Sequence, residues 1–316
     1  MEDPRLEPEV AWDMLAHGRV MGETTVVLDD AAVDAYLQAT GEEHPLYAPG
    51  EAGGFAPPLF TTMVCFAKAA LGGRWPSGTI QLDQRVAMGR ALRRGERLTL
   101  DLRVEQDPAN ADRRVVRLLS ALRDASGRVA GEQSAALLWA GGGRGAGGDA
   151  ERGSGGPRDD VAGSRDPATP SSTNPVRGPV GPVACDYPIE RLRAFGDLAG
   201  ARDPIHLDPV FAAGTRYRVN IVQGRLVMAL VSRLMLERHG VDWLQRGWLD
   251  LRFRRPVVVG ATVRAWATPD RDGQRYEVCC EDDRGIAVIT GSAGLAPRQA
   301  KLSAISALNH SFMSSK

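Results

Sequence analysis

Residues 224–238 read GRLVMALVSRLMLER, and the way this stretch must be covered decides the fold. Wound as a helix of about 3.6 residues per turn, it places Val227, Met228, Ala229, Leu230, Val231, Leu234, Met235 and Leu236 almost all the way round the axis. A helix with so little polar face has to be nearly surrounded. A sheet wrapped round it would do this, and strand-like segments follow at Trp248–Phe253, Val257–Thr268, Arg275–Glu281 and Gly285–Leu295, with turns at Gly260 and Gly285.

The same order of elements occurs earlier in the chain. A second long apolar helix is predicted from about Phe60 to Leu71, ending at Gly72 as the first one ends at Gly240. It is followed by predicted strands at Thr79–Met88, Arg97–Gln106, Arg113–Arg123 and Arg128–Trp139, with a turn at Gly95. Each apolar helix is preceded by a shorter amphipathic one. One starts near Asp29 and faces inward with Val33, Tyr36, Leu37 and Thr40; the other follows Asp186-Tyr187-Pro188 and faces inward with Ile189, Leu192, Phe195 and Ala199. Both run into a Gly-containing turn with a proline, Thr40-Gly41-Glu42-Glu43-His44-Pro45-Leu46-Tyr47 and Ala199-Gly200-Ala201-Arg202-Asp203-Pro204-Ile205-His206. Gly41/Gly200 and Pro45/Pro204 are each separated by 159 residues, which identifies an internal repeat.

Residues 141–183 hold almost no large apolar side chain and cannot bury enough surface to offset the entropy of ordering them. They are read as a flexible linker between an N-terminal unit, 1–140, and a C-terminal unit, 184–298, with a tail at 299–316. The predicted fold class is α+β: two long helices, each wrapped by an antiparallel sheet, the two sheets continuous so that two exposed edges are removed.

The 316 residues suffice for two ordinary domains. A charged fraction of 25% with zero formal net charge gives no electrostatic bias towards nucleic acid or membrane surfaces. The N-terminal stretch Met1–Val20 is acidic and mixed, and no apolar run approaches the roughly 18 residues of a membrane span. A cytoplasmic protein is expected. Cys65, Cys185, Cys279 and Cys280 lack metal-ligand spacing and are read as reduced thiols. No metal and no organic cofactor is implied.

The segment Gly200–Asp208, GARDPIHLD, resembles the hydratase motif of MaoC-type and (R)-specific enoyl-thioester hydratases, Gly-Asp-x-Asn-Pro-(Ile/Leu)-His. Gly200, Pro204, Ile205 and His206 match, as do the trailing Asp208-Pro209 and Phe211-Ala212. Ala201 stands where the family has its catalytic aspartate, and Asp203 where it has asparagine. Ile221-Val222-Gln223-Gly224-Arg225-Leu226 is similar to the family's Ala-His-Gly-Met-Leu helix entry. Phe55-Ala56-Pro57-Pro58-Leu59-Phe60 is similar to the helix entry of N-terminal MaoC dehydratase domains. The resemblance implies the double hot-dog fold and acid–base chemistry on an acyl thioester, carried by CoA or an acyl carrier protein, in a possible homodimer.

Dehydration of a 3-hydroxyacyl thioester needs a base for the C2 proton and an acid for the departing hydroxyl, close together on one side of the substrate. His206 can fill either role, since its ordinary pKa lies near neutrality. Asp203 either takes over from the absent aspartate or braces the turn. The amides of Gly224 and Arg225, at the start of the long helix, are candidates for holding the thioester oxygen as enolate charge develops. In the first half Glu42 occupies the aspartate position and Tyr47 the histidine position; together with Gln223 they are candidates for shaping the substrate site. Two other functions fit the same residues: isomerisation, cyclisation or conjugate addition on a polyketide-like substrate, and a non-catalytic role in binding an acyl group or carrier.

Overall fold

The computed structural model describes residues 10–50, 54–66, 75–76, 78–106, 114–139 and 177–297. In the first half Asp29 caps helix α1 (Asp30–Thr40) by accepting from the Ala32 amide at 2.9 Å, and Gly41, at φ 72°, ends it in the left-handed conformation. That conformation favours glycine because a Cβ would crowd the following carbonyl. The buried face is Val33, Tyr36, Ala39 and Thr40, with Leu37 partly covered. Strands β1 (Val20–Val27), β2 (Ile80–Met88), β3 (Arg97–Gln106), β4 (Val115–Arg123) and β5 (Val129–Leu138) complete the first half.

The second half repeats this order with β6 (Val180–Asp186), α2 (Ile189–Ala199), α3 (Pro204–Leu207), α4 (Pro209–Ala213) and α5 (Gly224–His239). It continues through α6 (Val241–Arg246), β7 (Gly247–Phe253), β8 (Thr262–Pro269), β9 (Arg275–Glu281) and β10 (Ala287–Leu295). All ten strands form one sheet in the order β1-β3-β4-β5-β2-β7-β10-β9-β8-β6. Read outward from the centre, the two halves give 2-5-4-3-1 and 7-10-9-8-6, the same topology twice. The seam is antiparallel β2–β7, where Arg85 lies opposite Asp250 and pairs with it at 3.1 Å. Among the described residues, one continuous sheet of this kind leaves β1 and β6 as its edges.

Helix α5 buries ten of its sixteen residues, from Leu226 to Leu236, as its lack of a polar face requires. The halves are also joined away from the sheet. The last carbonyls of α1, which a helix end leaves without intrahelical donors, are taken by the second half. Arg191 donates to Ala39 O at 3.2 Å, Arg233 to Gly41 O at 3.3 Å, and the Cys185 thiol to Thr40 O at 3.8 Å.

Three sequence expectations are corrected. The helix expected from Phe60 to Leu71 is a 3-10 segment over Pro58–Phe66, and 67–74 lie outside the described residues. Here the Thr61 and Thr62 hydroxyls bond Pro58 O and Leu59 O, three residues back, a local alternative to the α-helical ladder. The linker expected over 141–183 ends earlier, because Val180 and Val183 pair with Ala267 and Ala265 of β8. Pro182 is tolerated there because β6 is an edge strand, so the Gly/Pro-rich look of the segment was misleading. The second unit accordingly starts before residue 184, while 141–176 and 299–316 lie outside the described residues. Finally, Val257–Ala261 forms a turn ahead of β8, with Gly260 at φ 85°. No helix among the described residues is long and apolar enough to cross a membrane.

Candidate active site

Pro204 opens the single turn of α3, and Asp203 caps it, one carboxylate oxygen accepting from the Ile205 amide at 3.0 Å. The turn is stapled to the chain just ahead of α5. Ile205 O accepts from the Ile221 amide at 3.2 Å and from the buried Asn220 side chain at 3.1 Å. Residues 220–222 are in turn fixed on the turn before β8: Val222 N donates to Val257 O at 2.8 Å, and Val259 N to Asn220 O at 2.9 Å. His206 is thus held at the entry of α5.

Its imidazole is oriented by a main-chain group. Nδ1 lies 2.8 Å from Ile221 O, and since a carbonyl can only accept, Nδ1 carries the hydrogen. In the neutral ring this leaves Nε2 with a lone pair, the form a general base needs. Burial lowers the His206 pKa below its ordinary value, and the positive charge of Arg225 works in the same direction; the Ile221 hydrogen bond and the negative charge of Asp203 oppose them. Asp203 therefore acts on His206 through its charge, while the Ile221 carbonyl sets the ring's tautomer.

Gly224 and Arg225 open α5, so their amides fall among the groups a helix start leaves unpaired within the helix. A Cβ on Gly224 would stand 2.9 Å from the Phe253 ring, so packing as well as any ligand requires glycine there. Arg225 reaches across to the first half, its Nη1 3.3 Å from both Thr62 O and Met63 O. Gln223 is buried, its amide nitrogen donating to Leu192 O at 3.0 Å, which ties α2 to the start of α5, while its side-chain oxygen meets no partner among the described residues.

Glu42 and Tyr47 sit together on the first-half turn, with Tyr36 beside them. Glu42 is only 3% exposed and Tyr47 1%, so they are core groups of the first half rather than part of an open surface. Among the described residues neither Glu42 oxygen nor the Tyr47 hydroxyl has a partner at full hydrogen-bond geometry, although the Tyr47 and Thr40 hydroxyls lie near Glu42. Burial pushes Glu42 up to about 7, against the neighbouring Tyr47 hydroxyl, Arg233 and Thr40, which favour its ionised form. Burial likewise holds Tyr47 and Tyr36 well above the ordinary tyrosine range, with the Glu42 charge adding to the effect. Two cavities lie along this joint between the halves. One of about 180 Å³ is lined by Glu42, His44, Arg233 and Glu237, and one of about 320 Å³ by Cys185, Arg191 and Arg233; His206 lines neither.

Sequence reading missed the Ile221 carbonyl and Asn220, because main-chain acceptors and turn staples leave no residue-type signature. Arg233 lies on a helix whose pattern is dominated by apolar residues, so no spacing signal in the sequence singles it out. Among the described residues no group of His, Cys, Asp and Glu side chains could hold a metal ion. Cys185, Cys279 and Cys280 are free and buried, and burial pushes Cys279 up to about 12, so it is an inert thiol. Only the backbone of Cys65 is among the described parts.

Residues 175–281 match the family model described as "MaoC like domain". The chain is 39% identical over 77 residues to the (R)-specific enoyl-CoA hydratase of Aeromonas caviae, covering 23% of this chain and 55% of that protein. It is 34% identical over 80 residues to 3-hydroxyacyl-thioester dehydratase Z of Mycobacterium tuberculosis, covering 24% of this chain and 53% of that protein. The chain thus spans about half the length of the curated relatives it matches. A MaoC-like dehydratase from Phytophthora capsici superposes with a TM-score of 0.66 at 18% identity, over 92% of this chain and 100% of that one. Taken with the twice-repeated strand order and the long enclosed helix, these likenesses give the chain the double hot-dog fold of MaoC-like dehydratases, with residues 175–281 similar to a MaoC-like domain.

Proposed function

We propose that the chain is a hydro-lyase that interconverts a 3-hydroxyacyl thioester and the corresponding enoyl thioester, with His206 as its acid–base group. The observation that carries this is the His206–Ile221 hydrogen bond, which puts a ring hydrogen on Nδ1, so that in the neutral ring Nε2 is the nitrogen able to accept a proton. In the dehydration direction Nε2 takes the C2 proton, and the C2–H electron pair moves towards the thioester oxygen as an enolate. The amides of Gly224 and Arg225 favour that charge. The enolate collapses to a C2=C3 double bond as the C3–O bond breaks, and the departing oxygen takes the proton from Nε2 to leave as water. Hydration is the reverse.

The carboxylate of Asp203 favours the imidazolium that forms midway, and so partly replaces the aspartate absent at Ala201. Glu42 and Tyr47 bound the first-half side without taking part in proton transfer. Names of the relatives support an acyl-CoA or another 3-hydroxyacyl thioester as substrate; an acyl carrier protein fits the same chemistry, and the protein is expected to work in the cytoplasm as a homodimer. The test is incubation with crotonyl-CoA while following loss of the enoyl-thioester absorbance and formation of 3-hydroxybutyryl-CoA. Absorbance loss with stoichiometric hydroxyacyl product is expected. A product isomeric with the substrate would instead indicate isomerisation.

A further inference from the structure

Between Asp208 and Glu237, and again between Asp250 and Asp270, the chain carries no acidic residue. The fold joins these two stretches. Val258 bridges Ile221, the Val222 amide donates to Val257 O at 2.8 Å, and the Val259 amide to Asn220 O at 2.9 Å. Arg216, Arg218, Arg254 and Arg255 stand exposed on them, and the side-chain contacts they make are with neutral groups. Arg216 lies over the Tyr217 ring, 4.8 Å from its centre, Arg218 donates to Ala213 O at 3.2 Å, and Arg254 donates to the Thr290 hydroxyl at 2.7 Å. Asp208, where the first stretch begins, is turned to its own helix, accepting from the Val210 and Phe211 amides at 2.9 and 3.1 Å. The same stretches also hold four of the seven large apolar side chains that are exposed among the described residues: Val210, Phe211, Val219 and Val258.

We infer that this basic and apolar surface is the docking site of an acidic acyl carrier protein, which brings its thioester to His206. The inference rests on the acid–base role proposed for His206 and names the carrier on which that substrate arrives.

The surface lies at the rim of the candidate site. Only Leu207 and Asp208 separate His206 from α4, which carries Val210 and Phe211, and Ile221, the partner of Val258, is the residue whose carbonyl orients the imidazole. Free CoA also brings negative charge in its phosphates, but small-molecule sites are concave. Val210 is 83% exposed and stands out from the surface. Arginines interspersed with exposed apolar groups are the composition of protein–protein contacts, in which the apolar groups are covered and the charges steer encounter. Because the chain as a whole has zero formal net charge, an acidic partner is drawn to this face and not to the molecule at large.

The test presents the crotonyl group on CoA and on a free-standing acyl carrier protein, and measures kcat/KM for hydration by wild type, Arg216→Glu/Arg218→Glu and Val210→Asp. With the carrier-bound substrate each variant should lose at least about tenfold, mainly through KM. With crotonyl-CoA each should stay within about twofold of wild type. Equal losses on both substrates, or no loss on the carrier, would overturn the inference. So would a change from dimer to monomer in light scattering with carrier turnover intact, since the surface would then be a contact between two copies of this chain. Should the double variant not fold, Val210→Asp decides alone, because so exposed a side chain tolerates a carboxylate. Failure of the underlying reading is distinguishable, as it would appear in wild type as absence of hydration on either carrier. Docking is then decided by titrating unacylated carrier protein into wild type and Val210→Asp: weaker binding to the variant supports the surface, and equal binding or none overturns it.

Discussion

Asp203 does two jobs with one side chain, and they can be separated. Asparagine caps helices about as well as aspartate, so Asp203→Asn should change unfolding free energy by no more than about 0.5 kcal/mol. It should lower kcat, by less than deletion of His206 does, because the negative charge that favours the imidazolium is lost. A loss in kcat as large as that of deleting His206 would mean that Asp203 transfers the proton itself. Glu42 makes a different prediction. Its folded-state pKa of about 7 lies above its ordinary value of 4.5, so the folded protein binds this proton more tightly than the unfolded chain. Its contribution to stability is complete at pH below about 4.5 and is lost as pH rises through 7, about 3 kcal/mol in all as an upper bound. Glu42→Gln should flatten that decline. Urea midpoints at pH 5 and pH 8 check it, and a decline as steep as that of wild type would place the titrating group elsewhere. The sequence placed Glu42 at the aspartate position of a repeat, but its burial follows from the packing of α1 against α2, which pattern reading along one chain does not reveal.

Elements were legible where burial imposes a period. Helix α1 and its two caps, α2, α5 and the cores of the strands follow directly from apolar spacing and from Asp29, Gly41 and Gly240. What was not legible had local or tertiary causes. The two threonine hydroxyls of the 3-10 segment look helical by apolar spacing alone, and β6 hides behind Gly181 and Pro182 because an edge strand tolerates a proline that a central strand would not. Gly224 illustrates the same limit. Its place in the motif suggested close approach of a ligand, whereas the structure adds the Phe253 ring at 2.9 Å from any Cβ. Gly224→Ala should therefore destabilise the protein by about 1–3 kcal/mol through overpacking, measured as a lower urea midpoint with unchanged m-value. An unchanged midpoint would show that Phe253 yields freely.

At the scale of the molecule, a duplicated unit has kept its topology while its two motifs have diverged. The sheet order is the same on both sides of the β2–β7 seam, but the first copy carries Glu42 and Tyr47 buried in its core, and the second carries His206 on a stapled turn beside α5. Second-half donors from Arg191, Arg233 and Cys185 on the end of α1, and the reach of Arg225 into the 3-10 segment, make the halves mutually dependent in spite of this division. The internal repeat is visible in the sequence as the constant offset of Gly41/Gly200 and Pro45/Pro204, and the motif at His206 singles out the second copy; the Ile221 carbonyl that orients the ring is not visible there. The most direct measurement is the rate of crotonyl-CoA hydration by wild type and by His206→Ala, with circular dichroism showing the variant folded. Removal of a positioned acid–base group should cost a factor of about 10² to 10⁴ in kcat. A folded His206→Ala protein that hydrates crotonyl-CoA at the wild-type rate would contradict the account.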